Sequence, residues 1–241
     1  MARDERPIGS VSGRVWALLL IALILQITWQ WSQPRPVAAA AALDAPAPVS
    51  ALKLSSFGEP VVLAQLMTLY LQAFDNQPGI SIPFRDLDYQ KVILWLETIL
   101  ALDPAGQYPL LLAAQVYSQV PDQARERQML DFVRLEFLRA PNARWRWLAH
   151  ATIMAKHRLH DDALALQYAR DIAKYAPEAP SWARQMQIFI LEDIGEIEAA
   201  RILLGGLLEG KQIKDEREIH FLMERLESMK SVENSTPMTK K

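Results

Sequence analysis

The pattern of apolar and polar residues divides the chain into two parts. The first is an uninterrupted apolar run from Val15 to Trp31. From Pro60 onward, apolar residues instead recur at intervals of three and four, which is typical of helices that bury one face. No segment alternates convincingly in the manner of a strand. The pattern therefore predicts an all-α protein, with one isolated apolar helix followed by a series of amphipathic helices.

The apolar run predicts a transmembrane helix. It contains no charged residue, and its 17 residues are close to the minimum that crosses about 30 Å of hydrocarbon. Its tryptophans occupy positions typical of the membrane interface, and most nearby arginines precede it. By the positive-inside rule we expect residues 1–14 in the cytoplasm and the rest in the periplasm, anchored in a bacterial inner membrane. The residues concerned are Trp16, Trp29, Trp31, Arg3, Arg6 and Arg14.

A cleaved signal peptide is the alternative to a signal anchor. The alanine run at 38–42 contains Ala-x-Ala patterns of the kind that precede cleavage sites. The apolar run is longer than the 7–15 residues of a usual signal-peptide core, and Pro34 and Pro36 separate it from the alanines. The length favours the anchor, but cleavage remains open.

A spacer follows the apolar run, and a polar tail ends the chain. Residues 32–58 are rich in alanine and proline, which predicts a semi-rigid linker that holds the folded part away from the bilayer. Residues 231–241 are polar and predict a disordered tail.

Between them, residues 59–230 predict nine helices. In the first, the apolar residues Val62, Leu66, Leu69 and Ala73 stand at helical spacing. Proline and glycine in the 75–83 stretch predict a long turn after it. The predicted helices are Glu59–Phe74, Asp88–Leu102, Tyr108–Gln119, Asp122–Arg139, Ala143–Lys156, His160–Tyr175, Ser181–Asp193, Glu196–Leu208 and Asp215–Lys230.

The Asp88–Leu102 helix resembles the second helix of a tetratricopeptide repeat. It begins with the Asp-Tyr pair Asp88 and Tyr89. Its apolar residues Val92, Leu96 and Ile99 have the spacing of the family, and Pro104 follows twelve positions after Val92. Asp88 also has a direct physical role, because aspartate can cap the first turn of a helix. Pro104 ends the helix, because its ring cannot continue the hydrogen-bond ladder.

Later segments repeat this outline with less detail. The alanines Ala124, Ala163 and Ala199 correspond to Val92, and Pro141 and Pro177 to Pro104, at intervals of 32 to 39 residues. These bracket the tetratricopeptide period of about 34. The family's Trp-Leu-Gly-Tyr signature is missing, and Gly205-Gly206 interrupts the helical pattern, which predicts a kink or a close helix approach. The resemblance implies a degenerate solenoid of about four helix pairs with a more polar capping helix.

Composition excludes several classes of function. The net charge is −2, which does not favour nucleic-acid binding. The chain has no cysteine, so disulfides, thiolate metal sites and cysteine nucleophiles are excluded. Its few histidines and paired acids do not form a recognisable metal or catalytic pattern. We therefore expect no enzymatic activity, no metal and no cofactor.

The middle of the chain combines arginine and tryptophan. An excess of basic residues precedes an acidic C-terminal part, and arginine and tryptophan are enriched at interface hot spots. One interpretation is a groove that captures an acidic peptide; the other is that the tryptophans pack between helices and the arginines are solvated. Alternate helical positions face different directions, so at least one tryptophan is expected in the core. The candidate binding residues are Arg139, Arg144, Trp145, Arg146, Trp147 and His150.

These features together predict a non-enzymatic, membrane-anchored module that binds another protein in the periplasm. The arrangement is similar to that of membrane-anchored periplasmic tetratricopeptide proteins, which implies peptide or helix capture in the groove lined by the first helices of successive pairs. A structural subunit of an envelope complex or of a secretion or maturation machine is the alternative. A soluble periplasmic hydrolase released by signal cleavage is a third.

Overall fold

A computed structural model describes residues 12–33, 40–210 and 215–235 of the chain. Within these residues the protein is helical apart from two very short strands. Arg3 and Arg6, which carry the predicted orientation, lie outside the described residues, as do Pro34, Pro36 and the last six residues of the tail. The elements are α1 Gly13–Ser32, α2 Val49–Ser55, α3 Pro60–Ala73, β1 Asn76–Gln77, β2 Ile80–Ser81, α4 Tyr89–Leu102, α5 Tyr108–Leu111, α6 Gln123–Arg139, α7 Pro141–His157, α8 Asp162–Tyr175, α9 Ser181–Asp193, α10 Ile197–Glu209 and α11 Glu216–Ser235.

The N-terminal helix α1 is long and apolar enough to cross a membrane. It has 20 residues with a mean hydropathy of 1.6, and none of its most apolar window is buried within the protein. Helix formation over the run from Val15 to Trp31 is thus confirmed, with slightly wider bounds. A signal sequence near the N-terminus can also be long and apolar enough to meet this criterion, so the choice between anchor and cleaved signal stays a prediction.

The remaining helices form a second compact unit that begins at Ala41. Within it, each long helix packs mainly on the next one in the chain, from α6 through α11. The helix limits agree closely with those predicted from periodicity, and α9 agrees at both ends. Local hydrophobic spacing was therefore sufficient to place the helices.

Aspartates fix the start of three helices that were predicted to be second members of a pair. The side chains of Asp88, Asp122 and Asp161 accept hydrogen bonds from backbone amides in the first turns of α4, α6 and α8, at 2.9–3.3 Å. Those amides have no partner within the helix, so an N-cap aspartate contributes about 1 kcal/mol of helix stability. The predicted capping role of Asp88 is confirmed.

The core consists of apolar helix faces tied together by buried tyrosines. Val92, Leu96 and Ile99 of α4 are all buried, as their spacing predicted. The hydroxyl of Tyr89 donates to the backbone carbonyl of Tyr117 at 2.8 Å. The hydroxyl of Tyr168 donates to the carboxylate of Asp131 at 3.0 Å. Burial raises the pKa of the tyrosine hydroxyls, to about 12 in Tyr89, so they remain neutral donors.

Several side-chain hydrogen bonds connect residues that are 36 or 37 positions apart in the sequence. Gln72 donates to the Tyr108 hydroxyl 36 positions on, and Tyr168 and Asp131 are 37 apart. Arg134 bonds to Asp171 at the same interval of 37. Each of these bonds joins one α-helix to the second α-helix after it in the chain. These three bonds therefore span similar lengths of sequence, 36 or 37 residues.

The predicted linker is shorter than residues 32–58. Its second half contains α2, and Leu43 is buried in the core. The indole Nε1 of Trp95 donates to the backbone carbonyl of Asp44 at 2.8 Å. Residues from Ala41 onward therefore belong to the compact unit. Composition alone did not reveal this, because alanine and proline are compatible with both a spacer and a packed cover.

The stretch after α3 contains the short strands that periodicity did not predict. Strands β1 and β2 pair as a two-stranded sheet, and the backbone N–H of Ile82 donates to the carbonyl of Asp75 at 2.7 Å. Phe84, in a single 3₁₀ turn at residues 84–86, packs edge-on against Tyr117 with ring centroids 5.6 Å apart. Two-residue strands are too short to show an alternating pattern.

Three further differences concern helix detail. The predicted helix at 108–119 begins as α5, continues as a π-helix over Leu112–Val116 and ends in a 3₁₀ turn. Helix α10 runs through Gly205 and Gly206, and a methyl group added at either would meet no described atom within 4 Å. The expected close approach at these glycines is therefore absent from the described part of the chain. Helix α11 extends to Ser235, into the segment predicted as disordered tail.

Candidate protein-binding surface

Arg144, at the start of α7, is a buried structural residue. Its side chain is 4% exposed, and its guanidinium donates to the backbone carbonyls of Glu136 at 2.9 Å and Pro104 at 3.1 Å. It also forms an ion pair with the buried carboxylate of Glu136. Arg144 thus ties α7 to the ends of α4 and α6. Its prediction as a residue of the exposed surface is wrong, because this network leaves it no access to a ligand.

Arg139 completes the same ion cluster from outside. Its exposed guanidinium pairs with Glu136, so two arginines neutralise one buried carboxylate. A shallow cavity of about 280 Å³ next to the cluster is lined by residues of α4, α6 and α7, including Leu100 and Ala140. Arg139 therefore lies with Arg144 at a helix junction, and its charge is directed to Glu136.

The two tryptophans of α7 face different neighbours. Trp147 is half-buried, and its indole Nε1 donates to the side-chain oxygen of Gln107 at 2.7 Å. Trp145 is also half-buried and lies edge-on to Trp182 of α9, with ring centroids 5.5 Å apart. The expectation that alternate tryptophans diverge is confirmed. Trp147 belongs to the packing of α7 on the α5 segment, whereas Trp145 belongs to the contact between α7 and α9.

Arg146, Trp145 and Trp182 form the exposed part of the predicted Arg/Trp region. The Arg146 guanidinium carbon is 5.7 Å from the centroid of the Trp145 ring, within the range of a cation–π contact. Arg146 is exposed and Trp182 is 55% exposed, although tryptophan is usually well covered. We call these three residues the Trp/Arg cluster. It offers two indole surfaces and one accessible positive charge.

A groove lies between α7 and α9, the two helices that carry this cluster. Its volume is about 220 Å³, and both aliphatic and aromatic side chains line it. On α9, Met186 lies four positions after Trp182, and Phe189 lies three positions after Met186, so all three residues share one face of the helix. At its far end Lys156 forms an ion pair with Asp193. The groove residues are Thr152, Ile153, Lys156, His157, Met186, Phe189 and Ile190.

His150 lies outside this surface. Its ring is half-buried and hydrogen-bonded to the backbone of Ala114, in the π-helical segment. Its Nε2 is buried and has no hydrogen-bond partner among the described residues. Burial lowers the pKa of the imidazole, and the Ala114 bond only partly opposes that effect. His150 is therefore held neutral between α7 and the π-helical segment, where it contributes to packing.

The sequence analysis missed Trp182, Met186 and Phe189. A signal for the first was present, because Trp182 follows Trp145 by 37 positions, as Trp145 follows Tyr108. These aromatic residues lie in α5, α7 and α9, which were predicted to be the first helices of successive pairs. Reading the repeat interval through the aromatic residues, rather than through the alanines, would have placed Trp182 next to Trp145.

Within the described residues, no three His, Cys, Asp or Glu side chains are grouped so that they could hold a metal ion. The acids singled out in the sequence are engaged in ion pairs across helices. Glu192 pairs with Arg225, Asp193 with Lys156, and Asp161 with Arg127.

Comparison with known proteins assigns no family: no family model matches the chain, and neither a curated protein nor a solved structure matches it significantly.

Proposed function

We propose that the protein is a non-enzymatic module that binds another protein and is anchored in a membrane by α1. The observation that carries this proposal is the Trp/Arg cluster, two partly accessible indoles beside an exposed arginine, on the same two helices that line the α7–α9 groove. Tryptophan and arginine are the side chains that most often dominate binding energy at protein interfaces. The exposed cation makes an acidic peptide or helix the favoured ligand.

A tetratricopeptide-like solenoid is the architecture that we infer for the compact unit. Helices pack in chain order, and hydrogen bonds recur at 36 and 37 residues. That interval is close to the family period of about 34. Two grooves lie between helices that would be first members of their pairs: the α7–α9 groove, and one of about 530 Å³ lined by residues of α3, α4 and the α5 segment. In such an array the first helices line the surface available to a ligand.

The cellular setting of this proposal is the periplasmic side of a bacterial inner membrane. It is supported by the length and apolar character of α1 and by the arginines that precede it. A topology reporter fused after Leu54 should be active only in the periplasm. Activity in the cytoplasm would reverse the orientation, and mass spectrometry of the mature N-terminus will distinguish an anchor from a cleaved signal.

Site-specific photo-crosslinking in membranes tests the binding surface. A photoreactive residue at Arg146 or Met186 should give a discrete adduct with another protein, and Trp182→Ala should abolish it. Gln167, exposed on α8, provides the control position. The surface is the wrong one if the Gln167 probe gives the same adduct, or if Trp182→Ala leaves the Arg146 adduct unchanged.

Salt dependence separates transient capture from permanent assembly. Capture of an acidic ligand through an exposed arginine should weaken as ionic strength rises, because salt screens exposed charges. A complex that instead co-purifies in fixed stoichiometry through high salt would make the chain a structural subunit of a larger assembly.

A further inference from the structure

Helix α3 has an apolar face that no described residue covers. One side of the helix, with Ala64, Met67 and Leu71, is buried against the rest of the unit. The opposite side carries Val62, Leu66 and Leu69, which are 51%, 58% and 61% exposed. A helix that is apolar on all sides is normally buried. We define the outer face of α3 by these three exposed residues. Leu69 lies at its edge, where it also lines the groove of about 530 Å³ beside α5, whereas Val62 and Leu66 line none of the cavities described above.

The turn before α3 presents a second apolar group to solvent. Phe57 is 96% exposed and adopts a left-handed backbone conformation with φ of 51°. That conformation is unfavourable for a bulky residue, and exposing the ring to water adds a further cost. Leu54, three positions earlier, is exposed as well. The turn thus holds an aromatic side chain outward at an energetic cost that no described contact offsets.

The chemistry of this region favours lipid over a soluble peptide. Glu59 is the only charged residue from position 54 to 73, and the outer face of α3 has neither a charge nor a hydrogen-bonding side chain. Protein and small-molecule ligands are usually oriented by a few placed polar groups. A bilayer needs no such groups, because apolar side chains at the boundary between headgroups and acyl chains are stabilised by area alone.

Chain length brings this region to the bilayer. Only residues 33–48 separate the end of α1 from the start of α2, and fully extended they span at most about 55 Å. The segment that is free to extend is shorter still, because Leu43 is buried in the core and the carbonyl of Asp44 accepts a hydrogen bond from Trp95. Once α1 is inserted, the tether keeps the local concentration of membrane surface near α3 permanently high. A modest affinity then suffices for docking.

We propose that the Phe57 turn and the outer face of α3 rest on the lipid surface, with Phe57 and Leu66 at the depth of the upper acyl chains. This inference rests on the proposed insertion of α1. Docking would fix the unit near the membrane and restrict the orientation of the Trp/Arg cluster towards a partner.

Because the natural chain has no cysteine, single cysteines can report each position in the full-length protein. Variants Leu20→Cys, Phe57→Cys, Leu66→Cys and Glu178→Cys would carry an environment-sensitive fluorophore and be reconstituted in phosphatidylethanolamine/phosphatidylglycerol vesicles that contain acyl-brominated lipid. Leu20 lies in α1 and reports anchoring, and Glu178 is an exposed control in the turn between α8 and α9. For residues buried ~5–10 Å into the interface, we expect quenching at positions 57 and 66 about threefold stronger than at 178.

Each outcome decides one claim. Strong quenching at 20, 57 and 66 but not at 178 supports docking. Quenching at 20 alone overturns docking and leaves the anchor intact, whereas no quenching at 20 removes the anchor on which docking rests. Cysteine cross-linking between two copies at Leu66 without lipid quenching would make the outer face of α3 a dimer interface instead.

Discussion

The outer faces of α3 and α7 show how two helices of similar length can serve different surroundings. The outer face of α3 is aliphatic and uncharged, and nothing described lies against it. Helix α7 places an arginine, a tryptophan and a mixed groove towards solvent, while a buried ion cluster holds its start in place. Apolar area alone gives attraction without direction, whereas placed charges and rings select a partner. The first face suits a lipid surface, and the second suits a protein.

The largest effect is expected from Arg144→Ala. This change leaves the buried carboxylate of Glu136 with only the exposed Arg139, and it removes donors from two backbone carbonyls. Breaking a buried ion pair from one side typically costs about 3–5 kcal/mol. Chemical denaturation in detergent should show this loss in the free energy of unfolding. Arg146→Ala is the matched control, with an expected change below about 0.5 kcal/mol. Equal losses in the two variants would remove the distinction between a structural and an exposed arginine.

A pair of leucines on α3 tests the other half of the comparison. Leu71 is buried on the inner side, and Leu71→Ala should lower the free energy of unfolding by about 2–5 kcal/mol. Leu69 is exposed on the outer side, and Leu69→Ala should change it by less than about 0.5 kcal/mol in detergent-free buffer. A large loss at Leu69 would mean that the outer face of α3 is covered, and would contradict its assignment as a free surface.

Trp182→Ala should separate stability from binding. The indole is more than half exposed, so its removal should cost about 1 kcal/mol of stability, mainly through the lost contact with Trp145. As a hot spot it should cost at least about 2 kcal/mol of binding energy once the partner is identified. Thermal unfolding measures the change in stability, and titration of the variant with the purified partner measures the change in binding energy. If both fall together by several kcal/mol, Trp182 is a core residue of the α7–α9 contact.

The smallest expected effect is a pH dependence that originates at His150. Its pKa is lowered in the folded state, so the unfolded chain binds the proton more readily. The contribution of His150 to stability is therefore present above the unfolded value of 6.5 and is lost as pH falls below it. Unfolding curves between pH 7.5 and 5.5 should show a loss in the natural protein that is reduced in His150→Gln. The same slope in both proteins would assign the effect to other groups.

Local sequence information determined the secondary structure well. Helices followed the recurrence of apolar residues, aspartates marked the starts of α4, α6 and α8, and the buried face of α4 was read correctly. These features depend on residues within one or two turns of each other, so their signals are contained in a short window of sequence. The candidate binding residues depended on longer-range contacts, and there the pattern was less informative.

Two examples show which structural features hydrophobic periodicity does not determine. Val62, Leu66 and Leu69 located α3 correctly, but they lie on its exposed side, because the helix is apolar on both sides and spacing cannot tell which of them faces the core. Arg144 and Arg146 are two positions apart in the same basic tract, yet one is buried and the other exposed. Helical geometry predicts that they diverge, but only the position of Glu136 and Pro104 decides which turns inward.

The sequence by itself determined an all-helical chain with one helix apolar enough for a membrane, because hydrophobic spacing and helix caps act locally. The tertiary structure decided which arginine is buried in an ion pair with Glu136, which tryptophans are in contact between α7 and α9, and which face of α3 is exposed. Such contacts join residues that are far apart in the sequence. Arg144 and Glu136 are 8 positions apart, and Trp95 and Asp44 are 51 positions apart, so each pair comes together only when the helices pack.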